Sequence, residues 1–161
     1  MLIDFKRLPN NSRIWIYQSN RKLSEEELTA IALKTEEFLV QWTAHGSDLE
    51  AGFEIKHNRF IVLGLNQANA SASGCSIDSS VHFIQSLEKE FEVDLMDKMN
   101  VTFYTGDFIA HKSLADFKKM AKSRSVSPNT IVFNNLVNTK AEYLEHWEVP
   151  AKDSWHSRFL A

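Results

Sequence analysis

Strand-like and helix-like segments alternate along this chain in one order, and that order limits the fold more than any other feature. Strands are indicated where β-branched and aromatic residues cluster before turn residues, as in "RIWIYQS" at 13–19. Helices are indicated where apolar residues recur every three or four positions, as over 28–42 and 77–91. Capping boxes beginning at Ser24 and Ser113 mark two helix starts. The resulting order is β-α-β-β-α-β-β-α-β-α.

This order predicts an α+β fold with a ferredoxin-like core. The first six elements match a βαββαβ unit over about 13–105, followed by a C-terminal βαβα extension over about 106–161. In such a core the first two strands are parallel and the third lies antiparallel between them. A three-layer α/β fold with a mixed sheet is the alternative. Because 161 residues is a common size for one domain, residues 1–161 are predicted to form a single domain.

Aromatic residues of the extension indicate how it would pack. Trp15 and Tyr17 alternate with Ile14 and Ile16 on the first strand, so they share one face of the sheet. That face could stack nucleic-acid bases, but we expect instead that the extension covers it. The aromatic residues expected to be buried there are Phe103, Phe117, Phe133, Tyr143 and Trp147.

Composition excludes several classes of protein. A net charge of −3 favours neither a general nucleic-acid binder nor a membrane-surface protein. A single cysteine cannot form an internal disulfide, and no Cys/His spacing fits a zinc site. The start of the chain has no apolar stretch typical of a signal peptide, and the segment 60–65 is too short to span a bilayer. We therefore expect a cytoplasmic protein without membrane attachment, bound metal or cofactor.

Several stretches together resemble a family of short uncharacterised proteins from Bacteroidetes bacteria. They are "RIWIYQSNRK", "WTAHG", "NRFIVLGLNQ", "ASGCSIDSSVHFIQ", "DKMNVTF" and "SPNTIVFNNLVNTKAEYLEHW", and they cover nearly the whole chain. Members of that family often carry the automatic label "ABC transporter ATPase". The resemblance implies membership in a family without an established activity.

The residues of this chain do not support the ATPase label. A P-loop has the pattern G-x-x-x-x-G-K-[ST], in which glycine amides cradle phosphates and the lysine balances their charge. The five glycines are at 46, 52, 64, 74 and 106, and none precedes a lysine. The hydrophobic strand "FIVLGLN" ends in Asn66 rather than in a metal-binding aspartate. We therefore predict that the protein is not an ABC-type ATPase.

The small-residue loop "SASGCSIDSS" at 71–80 is the leading candidate site. It lies between a predicted strand and a predicted helix, where unpaired amides and the helix dipole favour anions. We therefore predict an anion or small-ligand site formed by five residues, namely Ser73, Gly74, Cys75, Ser76 and Asp78. The structural alternative is that Ser76 or Asp78 caps the helix, while Cys75 is a small buried residue.

A thiol-dependent enzyme is an alternative function for the same loop. In a ferredoxin-like sheet, the end of the third strand lies at the same edge as the loop before the second strand. That loop carries His45 and Asp48, which could serve as a base and its orienting carboxylate for a Cys75 nucleophile. The structural alternative places His45 at the C-terminus of the first helix, where it favours the dipole.

A basic segment suggests a third function. Over 111–124 the sequence "HKSLADFKKMAKSR" carries five cationic side chains and one aspartate. An exposed basic helix can meet phosphates or an acidic partner, although it is usually a solvated face. We therefore predict a non-catalytic module that binds a small anionic ligand or a protein partner. Thiol chemistry and weak nucleic-acid binding are the alternatives, and the sequence leaves the oligomeric state open.

Overall fold

The structure, a computed structural model, describes residues 1–68 and 70–160, which form a mixed α+β protein with antiparallel sheets. The helices are α1 (Glu25–Gln41), α2 (Gly74–Phe91), α3 (Leu114–Lys122) and α4 (Lys140–His146). The strands are β1 (Arg13–Gln18), β2 (Thr43–Ala44), β3 (Ser47–Asp48), β4 (Glu50–Lys56), β5 (Phe60–Asn66), β6 (Asn100–Thr105), β7 (Phe108–Ser113), β8 (Ile131–Phe133) and β9 (Glu148–Pro150). Short 3-10 helices span Phe5–Arg7, Ala151–Asp153 and Trp155–Phe159. The predicted α+β class is confirmed.

The chain divides into two compact units. The N-terminal unit comprises Met1–Met96 together with Asn138–Ala141, and the C-terminal unit comprises Asp97–Val137 together with Glu142–Ala161. The division therefore falls at 96/97, whereas the sequence pattern put the junction of core and extension near 105. That residues 1–161 form one domain stays a prediction.

The N-terminal unit contains three of the four strands that a ferredoxin-like core requires. Strand β5 lies between β1 and β4 and is antiparallel to both, as predicted for the third strand. The fourth predicted strand, β6, instead belongs to a separate sheet with the order β7-β6-β8-β9. The free side of β1 is occupied by another part of the chain, because the Ile14 amide donates to the Asn138 carbonyl at 2.8 Å. The ferredoxin-like prediction is therefore wrong at its fourth strand.

Strand β5 is buried on both faces, which explains its continuous apolar sequence "FIVLGL". On one face, Ile61 and Leu63 pack in a core with residues of both helices, including Leu39 of α1 and Ile84 of α2. On the other face, a Cβ at Gly64 would lie 2.6 Å from Leu8 Cδ1 and 3.1 Å from Phe5 Cε2. The N-terminal segment therefore covers the face that the helices leave open.

Both edges of this sheet are occupied by other parts of the chain. Leu2 forms a parallel bridge with Ala51 of β4, and the Ile3 amide donates to the Ala51 carbonyl at 2.8 Å. On the β1 side, Thr139 bridges Arg13. Because sheet edges present unsatisfied backbone groups, this pairing protects the start of each edge strand, at Ala51 of β4 and at Arg13 and Ile14 of β1.

Lys140 links residues 138–139, which pair with β1, to the N-terminal segment through hydrogen bonds. It is 6% exposed, and its Nζ donates to the carbonyls of Lys6 at 3.0 Å and Leu8 at 2.8 Å. The ammonium also lies 5.6 Å from the ring centroid of Phe5. A buried charge is tolerable here because carbonyl dipoles replace part of its hydration.

The C-terminal unit has its own aromatic core. Phe103 of β6 packs edge to face on Phe117 of α3 with ring centroids 5.5 Å apart, and Phe133 of β8 packs on Trp147 at 5.0 Å. Tyr143 lies 4.9 Å from Trp147. These are the five aromatic residues predicted to cover the Trp15 and Tyr17 face of the first sheet, and their ring contacts within this unit join them in two groups, one of two rings and one of three.

The face that bears Trp15 and Tyr17 is covered by the helices of the N-terminal unit, so the predicted packing of the extension on it is wrong. Trp15 packs edge to face on Trp42, which follows α1, at 5.9 Å. Tyr17 packs against the core that includes residues of α1 and α2, and burial raises the pKa of the Tyr17 hydroxyl above its ordinary value. These aromatic groups are therefore engaged in the core and do not form a base-stacking surface.

His156 makes the stability of the C-terminal unit depend on pH. Its ring is 1% exposed, stacks on Trp155 with centroids 3.8 Å apart, and its Nδ1 lies 2.6 Å from Ser154 Oγ. Burial lowers the pKa of His156 from 6.5 to about 4. Protonation therefore favours the unfolded state, so stability is fully present above pH 6.5 and is lost as the pH falls towards 4.

We expect the free energy of unfolding to fall by roughly 2 kcal/mol between about pH 7.5 and pH 5, measured by urea unfolding. His156→Gln should remove this fall, while His146→Gln, at an exposed histidine of the same unit, should retain it. Above pH 5, Glu27 does not interfere, because its hydrogen bond with Arg21 lowers its pKa to about 2. An unchanged pH dependence in His156→Gln would contradict the assignment.

Candidate functional site

The predicted small-residue loop is the start of α2, where two serines cap the helix reciprocally. The Ser76 amide donates to Ser73 Oγ at 3.1 Å, and the Ser73 amide donates to Ser76 Oγ at 2.7 Å. The N-cap is therefore Ser73, rather than Ser76 or Asp78. Ser76 is 2% exposed because its side chain closes this capping box under the first turn.

The remaining predicted residues of this loop are open to solvent. Gly74, Cys75 and Asp78 are all exposed on the first turns of α2, so the alternative of a buried cysteine is wrong. A Cβ at Gly74 would meet no atom within 4 Å, so nothing packs over this side of the turn. Such a turn presents amides outward, but the capping box already satisfies the Ser76 amide. The anion site at 73–78 stays a prediction.

The proposed base and its orienting carboxylate lie on a short hairpin beside this helix start. His45 and Gly46 form its turn with φ angles of 51° and 80°, and Asp48 pairs with Thr43. Trp42, at the base of the hairpin, donates from Nε1 to the Ser76 carbonyl at 2.8 Å. The base of the hairpin and the start of α2 are thus in contact.

The thiol-enzyme alternative gains no direct contact from this arrangement. His45 and Asp48 are exposed, and within 1–68 and 70–160 no hydrogen bond or ion pair joins either of them to Cys75. His45 also does not end the first helix, because α1 stops at Gln41. The thiol alternative stays a prediction.

A shallow cleft of about 490 Å³ lies at the opposite end of α2. Its lining includes three carboxylates, from Glu88, Glu92 and Asp94. Glu88 is used structurally, because its Oε2 accepts hydrogen bonds from the amides of Leu95 at 2.8 Å and Met96 at 3.3 Å. Across the described part of the chain, no cluster of His, Cys, Asp and Glu could hold a metal ion. The acidic lining does not suit the anionic ligand that the sequence predicted.

The strongest candidate surface is the outer edge of β7, which the sequence analysis did not identify. Strand β7 lies at the end of its four-stranded sheet and is paired with β6 alone among the described strands. It contains six residues, Phe108 to Ser113, a length typical of strands that pair stably. Unlike the edges of the N-terminal sheet, this edge has no other segment of the described chain laid along it.

The turn before β7 determines which backbone groups face outward. Gly106 and Asp107 form a two-residue turn in which Gly106 has a φ of 61°, and Thr105 pairs with Phe108. The pair that closes such a turn is hydrogen-bonded between the strands, and the following pair is not. The backbone N–H and C=O of Ile109 therefore point away from β6, towards the open edge.

An exposed aromatic side chain stands at the start of this edge. Phe108 is 80% exposed, the highest value among the large apolar side chains of the described residues. Alternation along the strand places Ala110 and Lys112 on the same face as Phe108. Ala110 packs in the core beneath α3, so this face continues from the core to the exposed phenylalanine.

Exposed cationic side chains lie on β7 and on the helix that follows it. They are Lys112 on β7, Lys118, Lys119 and Lys122 on α3, and Arg124 after it, and all five are exposed. None of them forms an ion pair with a described residue. Lys118 lies over the ring of Phe159, with 4.9 Å between Nζ and the ring centroid. The basic segment predicted from sequence is therefore a solvated surface beside an open strand.

Comparisons of the chain with protein-family models, with curated proteins and with solved structures gave no match. Within the described residues, no helix combines the length and apolar character needed to cross a membrane.

Proposed function

We propose that this protein is a non-catalytic protein-interaction module that binds an extended segment of a partner along the outer edge of β7. The observation that supports this most strongly is the contrast between the two larger sheets. Residues 1–3 pair with the start of β4 and residues 138–139 pair with the start of β1, whereas β7 has β6 on one side only and no other described segment on its outer side. Open strand edges are the surfaces to which extended peptides add.

Two further properties of β7 support strand addition. Natural open edges are usually protected by prolines, bulges, very short strands or charged side chains such as lysine. Of these features the sequence "FIAHKS" of β7 has only Lys112, because it contains no proline and pairs with β6 at all six positions. The exposed ring of Phe108 gives an added strand an apolar contact at one end. Main-chain hydrogen bonds then supply affinity, while side-chain contacts supply selectivity.

A peptide-display selection tests this proposal. We expect peptides selected from a random library to bind the wild type and Ile109→Val equally, because valine retains the outward N–H. Ile109→Pro should weaken binding by at least about tenfold, since it removes one hydrogen bond and places the ring towards the added strand. Circular dichroism should show that Ile109→Pro remains folded, as proline is tolerated where the N–H faces away from the sheet.

Hydrogen exchange measured by NMR gives an independent readout of the same proposal. The Ile109 amide should exchange rapidly in the free protein and become protected when peptide is bound. Selected peptides that bind Ile109→Pro as well as the wild type, without protecting the Ile109 amide, would show that the β7 edge is not the binding surface.

The remaining predictions from sequence stay proposals beside this one. A small anion at residues 73–78 is supported by the exposure of Gly74 and Cys75 at the start of α2. Cytoplasmic location, and membership in the Bacteroidetes family that the sequence resembles, are likewise proposals. Of the small-ligand and protein-binding roles first considered, the protein-binding role has the stronger structural support.

A further inference from the structure

We infer that the segment added to β7 is acidic and carries an apolar residue four positions from a carboxylate. This inference rests on the proposed function and adds the chemistry of the partner. It follows from three properties of the surface, which are its net charge, the position of the exposed Phe108 and the spacing between Phe108 and Lys112 along β7.

The first property is a concentration of positive charge. Residues 108–124 carry five cationic side chains and one aspartate, a net charge of +4, although the whole chain carries −3. The five cations are exposed and lack ion pairs among the described residues. Complementary charge on a partner would speed association and exclude basic segments from this edge.

The same charge argues against a second copy of this chain as the occupant. Two-fold pairing of β7 with β7 of another molecule would bring two surfaces of +4 side by side. Like charges in close proximity are unfavourable, and only two described carboxylates of this stretch, Asp107 in the turn before β7 and Asp116 on α3, would offset them. An acidic partner would be attracted to this surface, so the charge distribution favours an acidic segment of another protein over a second copy of this chain.

The second and third properties determine the spacing in the partner. Phe108 and Lys112 project from the same face of β7, four residues apart, so their Cα atoms are separated by roughly 13 Å. A strand added alongside has the same repeat. The partner residue beside Phe108 is then apolar, and the partner residue beside Lys112 carries a carboxylate. The apolar residue comes first in the partner's sequence if the added strand is parallel to β7, and the carboxylate comes first if it is antiparallel.

Synthetic decapeptides test the inference directly. The first probe is a β-prone peptide with glutamate and phenylalanine at positions i and i+4, and the second has lysine in place of the glutamate. The third has glutamate and phenylalanine at positions i and i+3, which places them on opposite faces of the strand. Fluorescence anisotropy should show the first probe binding at least about tenfold more tightly than the other two, with a preference that declines as salt is added.

A charge-reversed variant provides the internal control. Lys112→Glu should lose its preference for the glutamate peptide and prefer the lysine peptide. Lys152→Glu, which makes the same charge change at an exposed position of the same unit, should behave as the wild type. Phe108→Ala should weaken binding of the first probe without altering its preference over the lysine peptide.

Each contrary result overturns a different statement. Equal binding of the glutamate and lysine peptides, abolished by Ile109→Pro, would overturn the acidic partner and leave the proposed strand addition standing. Tighter binding of single-stranded RNA that displaces the first probe would overturn the inference in favour of a nucleic acid. A dimer in sedimentation experiments that Ile109→Pro dissociates would overturn it in favour of a second copy.

Discussion

Replacing Phe117 by alanine should cost the C-terminal unit about 3–5 kcal/mol of its free energy of unfolding. Phe117 is 0% exposed and lies between Phe103, at 5.5 Å, and His156, at 5.8 Å. Truncation leaves a cavity between strand and helix that these rings cannot fill without leaving the core. Because small units are marginally stable, most of this unit should unfold, which urea titration and the loss of its NMR signals would measure.

Phe108→Ala is the matched control for this substitution, since it removes the same atoms from a side chain that is 80% exposed. It should change stability by less than about 0.5 kcal/mol. Phe117→Leu, which retains most of the apolar volume, should lose a smaller amount and remain folded. Similar losses for Phe117→Ala and Phe108→Ala would contradict the assignment of Phe117 to the core and of Phe108 to the surface.

Gly52→Ala should be the most damaging single-methyl addition in the N-terminal unit. A Cβ at Gly52 would lie 2.7 Å from the Ile3 carbonyl oxygen and 3.0 Å from Phe5 Cα. These are backbone atoms, so the clash is relieved only if the N-terminal segment moves away from β4. We expect a loss of about 1–3 kcal/mol, measured by urea unfolding, with faster exchange of the Ile3 amide, which donates to Ala51.

Gly74→Ala is the control, because a Cβ at Gly74 meets no atom within 4 Å and the residue begins a helix. This variant should be as stable as the wild type or slightly more so, since alanine favours helices. Unchanged exchange at Ile3 in Gly52→Ala would show that the N-terminal segment does not lie against β4 in solution.

Features governed by neighbouring residues were predictable from the sequence. The capping box of Ser24 and Glu27 forms as predicted, with the Glu27 amide donating to Ser24 Oγ at 3.1 Å. The reversal between β4 and β5 falls at His57 and Asn58, whose φ angles of 54° and 56° are left-handed as the hairpin requires. In both cases the determining interactions lie within a few residues along the chain.

Features that depend on distant pairing were not predictable. The sequence of β6 indicates a strand but contains nothing that selects β1 over β7 and β8 as its neighbours. The β1 edge is instead taken by Asn138 and Thr139, which a local pattern shows only as a turn. The open edge of β7 follows from these pairings. The sequence therefore showed the basic residues of the candidate site but did not show that they lie beside an open strand edge. The exposed Phe108 directly after a Gly-Asp turn was the one available signal.

The return of residues 138–141 to the N-terminal unit has a consequence for dissecting this protein. The chain passes from the first unit to the second at 96/97, re-enters the first at 138 and leaves it again after 141. No single cleavage can therefore release either unit whole. A fragment ending at Met96 would lack the residues that pair with the start of β1 and the lysine that holds the N-terminal segment, and it would leave the outer edge of β1 open to every other copy in solution.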